Sequence, residues 1–368
     1  MKITLYIILG IVVIGIGFFV WFFVFFLQVP ELKIPENSSE KEKIVLIDNW
    51  LANLNAERKF NGGILIIKDG IPTLAKTYGY TNFQRTEKLN NNASFRLASV
   101  SKQFTASGIM LLNEKALIDY DDQVSKYISN FPYQNVTIRN LLNHTSGIPD
   151  SYLYLAENAK EDIGILTNEK ATKLIVENKP KAHFNPNDQY QYSNTNYILL
   201  ARIIELVSQQ SFENFMKDNI FNPLGMNNTR VWNLISRDKT FQGKTDDFED
   251  LAGETRELKP TFVDGVAGDG GIFSSIDDFV IWDNFWYANN LISDKNMKEA
   301  FKKPTLNNGE LSNYGFGWLI INEDVVMHDG AWLGANTYFT RNIKTKTSLV
   351  LLDNSSNLFF DQIIENIK

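Results

Sequence analysis

Ile64-Leu65-Ile66-Ile67-Lys68-Asp69-Gly70-Ile71 is an apolar run closed by an Asp-Gly step. It reads as the first strand and turn of a β-hairpin whose second strand runs from Ile71 to Tyr78. Upstream, Ile44, Ile47, Leu51 and Leu54 recur at helical spacing over residues 41–59. Downstream the pattern turns helical, over 99–117, over 196–208 (Tyr197, Leu200, Ala201, Ile204) and over 277–287. The chain then returns to short strands at 317–322, 325–328, 336–340 and 347–353, and closes with a helix at 359–367. Strands at both ends with helices between predict an α/β (α+β) fold. Its antiparallel sheet is built from N- and C-terminal strands, flanked by helices, with an inserted, mainly helical lobe over about 99–290. A cleft between sheet and lobe is the expected place for a site.

The chain has 368 residues, enough for a large core, and its charged content of 21% argues against disorder. Acidic residues outnumber basic ones, 43 to 36, for a net charge of -7. Nucleic-acid binding, which needs cations against phosphates, is therefore not expected. There is no cysteine, which excludes disulfides, thiolate chemistry and zinc-thiolate sites. The three histidines, His144, His183 and His328, form no His-x-x-x-His pair, so no metal site and no cofactor are expected.

From Ile3 to Pro30 no residue is charged. A helix of about 25 residues reaches roughly 37 Å, enough to cross a hydrocarbon core of about 30 Å. Bulky Phe22-Phe23-Val24-Phe25-Phe26-Leu27 leaves no small-residue cleavage site. Residues 1–30 are therefore expected as an uncleaved transmembrane anchor, 31–40 as a tether, and 41–368 as the functional domain on the extracytoplasmic side of the membrane.

Three polar clusters suggest chemistry. Ser99 and Lys102 are one helical turn apart, so the amine can meet the hydroxyl and take its proton. Tyr192-Ser193-Asn194 lies at the mouth of a helix, where phenol and amide can extend a proton relay. His328-Asp329-Gly330 is expected as a turn walling the opposite side of the cleft. Each triplet alone is unspecific: Ser38/Lys41 and Ser236/Lys239 repeat the first, and Tyr80/Asn82 repeats the second. A helix-opening Ser is most often a cap, and a lone Tyr a packed ring.

In this order the clusters resemble the serine β-lactamase and penicillin-binding protein superfamily, in its Ser-x-x-Lys, Tyr-x-Asn, Lys/His-x-Gly form. The likeness is to the class C-like branch, with its D-Ala-D-Ala carboxypeptidases and esterases. Leu141-Leu142-Asn143-His144-Thr145-Ser146-Gly147, Asn222-Pro223-Leu224-Gly225-Met226, Gly268-Asp269-Gly270-Gly271 and Tyr314-Gly315-Phe316-Gly317-Trp318 agree with it. The resemblance implies a β-lactamase/transpeptidase-like serine hydrolase that cleaves an amide or ester of a small molecule or peptide through an acyl-enzyme. It implies Ser99 as nucleophile, Lys102 as base or activating cation, and Tyr192 as proton shuttle. It further implies Asn194 on Lys102 and the substrate amide, the Ser99 and Ala331 N–H groups as oxyanion donors, and His328 facing the substrate with Asp329 and Gly330 beside it. Two positions depart from the family pattern: His328-Asp329 stands where Lys is followed by Thr or Ser, and Asn187 where relatives often carry Gly. A neutral His is a poor anchor for an anionic substrate, which puts β-lactam hydrolysis in doubt. The alternatives are a membrane-tethered sensor that is acylated without turnover, and an inactive scaffold.

Overall fold

The computed structural model describes residues 28–236, 240–251 and 253–368, together with 15, 17 and 18. The expected membrane span lies almost wholly outside them. Among the described residues no helix is long and apolar enough to cross a membrane.

The first helix, α1 (Glu40–Ala56), starts one residue before the apolar pattern predicts. Ser39 and Glu42 form a reciprocal cap there: the Ser39 hydroxyl accepts from the Glu42 N–H, and Glu42 accepts from the Ser39 N–H at 2.7 Å. The hairpin follows as β1 (Gly62–Lys68) and β2 (Ile71–Tyr78). Its Asp69 and Gly70 both take positive φ, 51° and 76°, as a two-residue hairpin turn requires. β3 (Phe95–Arg96) leads through a single turn at Ala98–Val100 into α2 (Ser101–Glu114). The lobe continues with α3 (Asn194–Ser208), β4 (Arg230–Val231), a small ribbon of β5 (Phe248–Leu251) and β6 (Glu254–Glu257), β7 (Ile272–Ser274) and α4 (Ile276–Phe285). The C-terminal part is β8 (Leu319–Ile320), β9 (Val325–Trp332), β10 (Ala335–Asn342), β11 (Thr347–Asp353) and α5 (Phe360–Ile367).

The six-stranded antiparallel sheet has the order β2-β1-β11-β10-β9-β8, so the N-terminal hairpin lies beside the last strand of the chain. Alternation between two covered faces explains why β1 is apolar from Ile64 to Ile67. Ile64 and Ile66 pack with Leu349 and Leu351 under α1 and α5, while Leu65 and Ile67 join Val350 and Leu352 in the large core shared with the lobe. Both sheet faces are covered, so neither set of side chains can be polar. In the lobe, α2 is buried from Ser101 to Leu112. Phe104 on α2 stacks on Trp282 of α4 with ring centroids 3.8 Å apart. A buried ion pair fastens α4 to the sheet: Arg341 Nε meets Asp283 Oδ1 at 2.7 Å, and Ser348 Oγ donates to the same oxygen at 2.6 Å.

Two expectations need correction. The stretch His328-Asp329-Gly330 is the middle of β9, paired with Phe339, Tyr338 and Thr337 of β10, and the turn comes later, at Leu333-Gly334. The cause is a close approach: a Cβ at Gly330 would lie 2.6 Å from the Ser99 nitrogen, so glycine here serves strand-to-turn contact. Residues 29–34, expected as the end of the anchor and the start of the tether, lie against the domain. The Val29 N–H donates to Gln362 at 3.0 Å, the Leu32 N–H to Asn366 at 2.9 Å, and the Trp50 indole to Pro30 O at 2.8 Å.

Candidate active site

Ser99 sits in the turn between β3 and α2, not on the helix itself. The turn is strained at its entry, because Ala98 has φ +45°, a region that costs a non-glycine residue about 1–3 kcal/mol. Flanking bonds hold it: Leu97 N donates to Ile272 O at 2.8 Å, and Ile272 N donates to Ser101 Oγ at 3.2 Å. Ser99 is thereby lifted, half-buried, into a cleft of about 100 Å³ that Asn194, Asp269, Ala331 and Trp332 also line. A larger surface hollow of about 750 Å³ around Pro132, Lys179 and Asn187 is lined by none of Ser99, Lys102, Tyr192 and Asn194.

Lys102, fully buried on the first turn of α2, donates three hydrogen bonds: to Ser99 Oγ at 3.0 Å, to Asn194 Oδ1 at 2.8 Å and to Asp269 O at 2.8 Å. Its ammonium lies 4.9 Å from the Tyr192 ring centroid. Burial pulls its pKa down to about 8, while the charges of Asp269 and Asp150 oppose that shift. Tyr192 arrives from the loop before α3 and donates to the same Ser99 Oγ at 3.0 Å. Burial drives the phenol pKa far upward. The Ser99 hydrogen bond offsets part of this, and the carboxylates of Asp269, Asp150 and Asp329 add to it. Asn194, the first residue of α3, is locked at both ends, because its Nδ2 donates to Asp150 Oδ2 at 2.9 Å. The loop before Tyr192 makes a left-handed turn at Asn187, φ +68°, a conformation Asn tolerates where other side chains strain. That is a physical reason for Gly or Asn at this position.

The structure thus brings Ser99, Lys102, Tyr192 and Asn194 together. Gly330 and Ala331 reach the nucleophile from β9, Ala331 lining the cleft and Gly330 abutting the Ser99 nitrogen. Asp329 is exposed on the same strand. His328 behaves differently. It is 2% exposed and its two nitrogens are engaged by the protein. Nδ1 lies 2.6 Å from Asp329 O, a carbonyl that only an N–H can satisfy, so Nε2 accepts from the Tyr314 hydroxyl at 2.8 Å. Burial, with Lys102 adding to it, lowers its pKa to about 3, and the ring stays neutral.

Several site residues went unread in the sequence. Asp150 holds Asn194, and Tyr152 donates to Asp269 Oδ2 at 2.9 Å. His144 packs its ring 4.4 Å from that of Tyr192 and accepts from Ser193 N at 3.3 Å. His144, Asp269 and Tyr314 fall within segments that carry the family resemblance, so a signal existed for them. Trp232, which lines the cleft, left none.

The family model described as Beta-lactamase matches residues 47–366. Penicillin-binding protein 4* of Bacillus subtilis is 38% identical over 82% of this chain and 69% of its own length. Protein flp of Staphylococcus aureus is 27% identical over 83% of this chain and 61% of its own, so the chain spans about two thirds of the length of these relatives. Among solved structures, the octameric penicillin-binding protein homologue from Pyrococcus abyssi superposes with a TM-score of 0.72 at 25% identity, covering 87% of this chain and 76% of that one. With the family model spanning nearly the whole domain, the chain belongs to the β-lactamase family and is a serine hydrolase of that fold.

Proposed function

We propose that the protein hydrolyses an amide or ester acyl bond through a covalent intermediate on Ser99. The carrying observation is the Ser99 hydroxyl oxygen, met at 3.0 Å by both the Lys102 amine and the Tyr192 phenol. Lys102, with a pKa of about 8, is the group that sheds a proton near neutrality, whereas Tyr192 remains a phenol. Neutral Lys102 then takes the Ser99 proton as the Ser99 oxygen bonds to the substrate's carbonyl carbon. The resulting oxyanion is within the domain of the Ser99 and Ala331 N–H groups, each such donor contributing about 2.7–4 kcal/mol. The proton passes through Tyr192 to the departing oxygen or nitrogen as its bond to carbon breaks. Water then attacks the ester and gives its proton back along the same route, restoring Ser99. Asn194, held by Asp150, keeps the Lys102 amine aimed at Ser99.

Labelling by a fluorophosphonate tests the nucleophile. Wild type takes up the probe and releases p-nitrophenol from esters over many turnovers. A Ser99→Ala variant that still labels refutes the assignment, and labelling without turnover identifies an acylated sensor. We propose further that the uncharged stretch from Ile3, ending before Val29, anchors the domain in the membrane, supported by its composition. Similarity to a penicillin-binding protein supports work at the cell envelope. Carbonate extraction of membranes separates an integral anchor, which stays in the pellet, from a released domain.

A further inference from the structure

We infer that the substrate drawn to Ser99 carries a positively charged, ammonium-type group, and that Asp269 is the residue that selects it. This deepens the hydrolase reading above and rests on it. The nucleophile's own cleft is walled by carboxylates. Asp264 and Asp269 line it beside Ser99, and Asp150 and Asp329 are exposed close enough to act on the Tyr192 phenol by charge. The cations do not balance them. Lys102 is sealed beneath Ser99 by three acceptors. Arg96 lines the cleft at only 3% exposure; its Nε is bound to Asp247 at 2.9 Å, which makes that pair neutral, and its Nη2 is buried without a hydrogen-bond partner. Lys244, partly exposed, lies over the Trp232 ring at 4.7 Å and also acts on Asp247. Among these groups, five carboxylates therefore face three cations.

The position from which a family Lys would greet an anion holds His328 instead, neutral and with both nitrogens taken. Among the described residues, an anionic substrate entering this cleft meets more carboxylates than cations, whereas a cation is attracted. The remaining walls suit the same ligand. Trp332 stands at the rim, 38% exposed, its indole N–H anchored on Asp264 Oδ1 at 2.6 Å, while the Trp232 ring deeper in the cleft already carries Lys244. Indole faces attract ammonium groups. Asp269 is set before any ligand arrives: its carboxylate receives the Tyr152 hydroxyl, its carbonyl receives Lys102, and the residue remains partly exposed to the cleft.

Two isosteric pairs test this on the full chain. The first is the p-nitrophenyl ester of trimethylammoniobutyrate against its tert-butyl counterpart, which places charge on the acyl side. The second is acetylthiocholine against the neutral dimethylbutyl thioacetate, which places it on the leaving group. In at least one pair kcat/KM is expected to favour the cation about tenfold at low salt, with the preference shrinking severalfold at about 0.5 M salt. Asp269→Asn is expected to lower that ratio about fivefold, the neutral member correcting for any effect through Lys102. Ratios at or below one in both pairs, with neutral esters still cleaved by wild type and not by Ser99→Ala, overturn the inference and leave the hydrolase reading standing. Absence of any Ser99-dependent cleavage or labelling overturns both. The wild-type ratios and their salt dependence decide the matter even if the Asp269 variant does not fold.

Discussion

The Lys102 amine sets a pH dependence that can be worked out in advance. Its pKa is pulled down to about 8 by burial. If neutral Lys102 is the base, roughly a tenth of the enzyme is competent at pH 7 and about a hundredth at pH 6. The value of kcat/KM for a neutral ester, or the rate of fluorophosphonate labelling, should rise about tenfold per pH unit up to pH 7 and level off above about 8. Stopped-flow release of p-nitrophenol measures it. Asp150→Asn supplies a second reading. The Asp150 charge raises the Lys102 pKa, and the isosteric amide oxygen can still accept from Asn194, so the acid limb should move to lower pH. A limb centred below about pH 6, or one that Asp150→Asn moves upward, would refute neutral Lys102 as base. The same shift has a stability sign. The folded amine binds its proton less tightly than in the unfolded chain, whose reference value is 10.5. The unfolded state therefore holds more protons between about pH 8 and 10.5, and the Lys102 contribution to stability should rise through that window. Below it the buried cation costs about 3 kcal/mol.

Tyr192→Phe keeps the ring packed against His144 but removes the hydroxyl on Ser99, and should lower kcat by about two to four orders of magnitude with little change in thermal midpoint. Gly330→Ala inserts a methyl 2.6 Å from the Ser99 nitrogen; labelling should fall about a hundredfold or more as β9 is pushed off the nucleophile. Arg341→Ala strands Asp283 as an unpaired charge in the core and should cost about 3–5 kcal/mol in denaturant unfolding, a loss that Asp283→Ala in the same chain should partly recover.

Periodicity was enough to read the elements whose burial follows a simple repeat. The hairpin turn at Asp69-Gly70, its second strand Ile71–Tyr78 and the strand Thr347–Asp353 were expected and are observed with matching bounds, while β1 starts two residues early and α1, α3, α4 and α5 lie within a few residues of expectation. The misses occur where contacts distant in sequence override local pattern. The helix expected from Ser99 begins at Ser101, because the strained Ala98 turn precedes it. The strand expected to stop at His328 runs on to Trp332, because β10 pairs with it throughout.

For the site, the sequence by itself determined the chemical inventory: an alcohol and an amine one turn apart, a phenol, an amide, and no cation where family likeness would put one. It also determined the order of strands and helices, since hydrophobic repeats are local properties. Only the tertiary structure decided protonation and access. Lys102 has its pKa lowered because α2 is buried and no solvent reaches it; Tyr192 stays a phenol because it is buried, with carboxylates from separate loops and strands adding to the effect; His328 is shut away by Tyr314. Desolvation and charge act through space, and residues some 90 to 170 positions apart in the chain become neighbours of Lys102 only once the sheet has closed around the lobe.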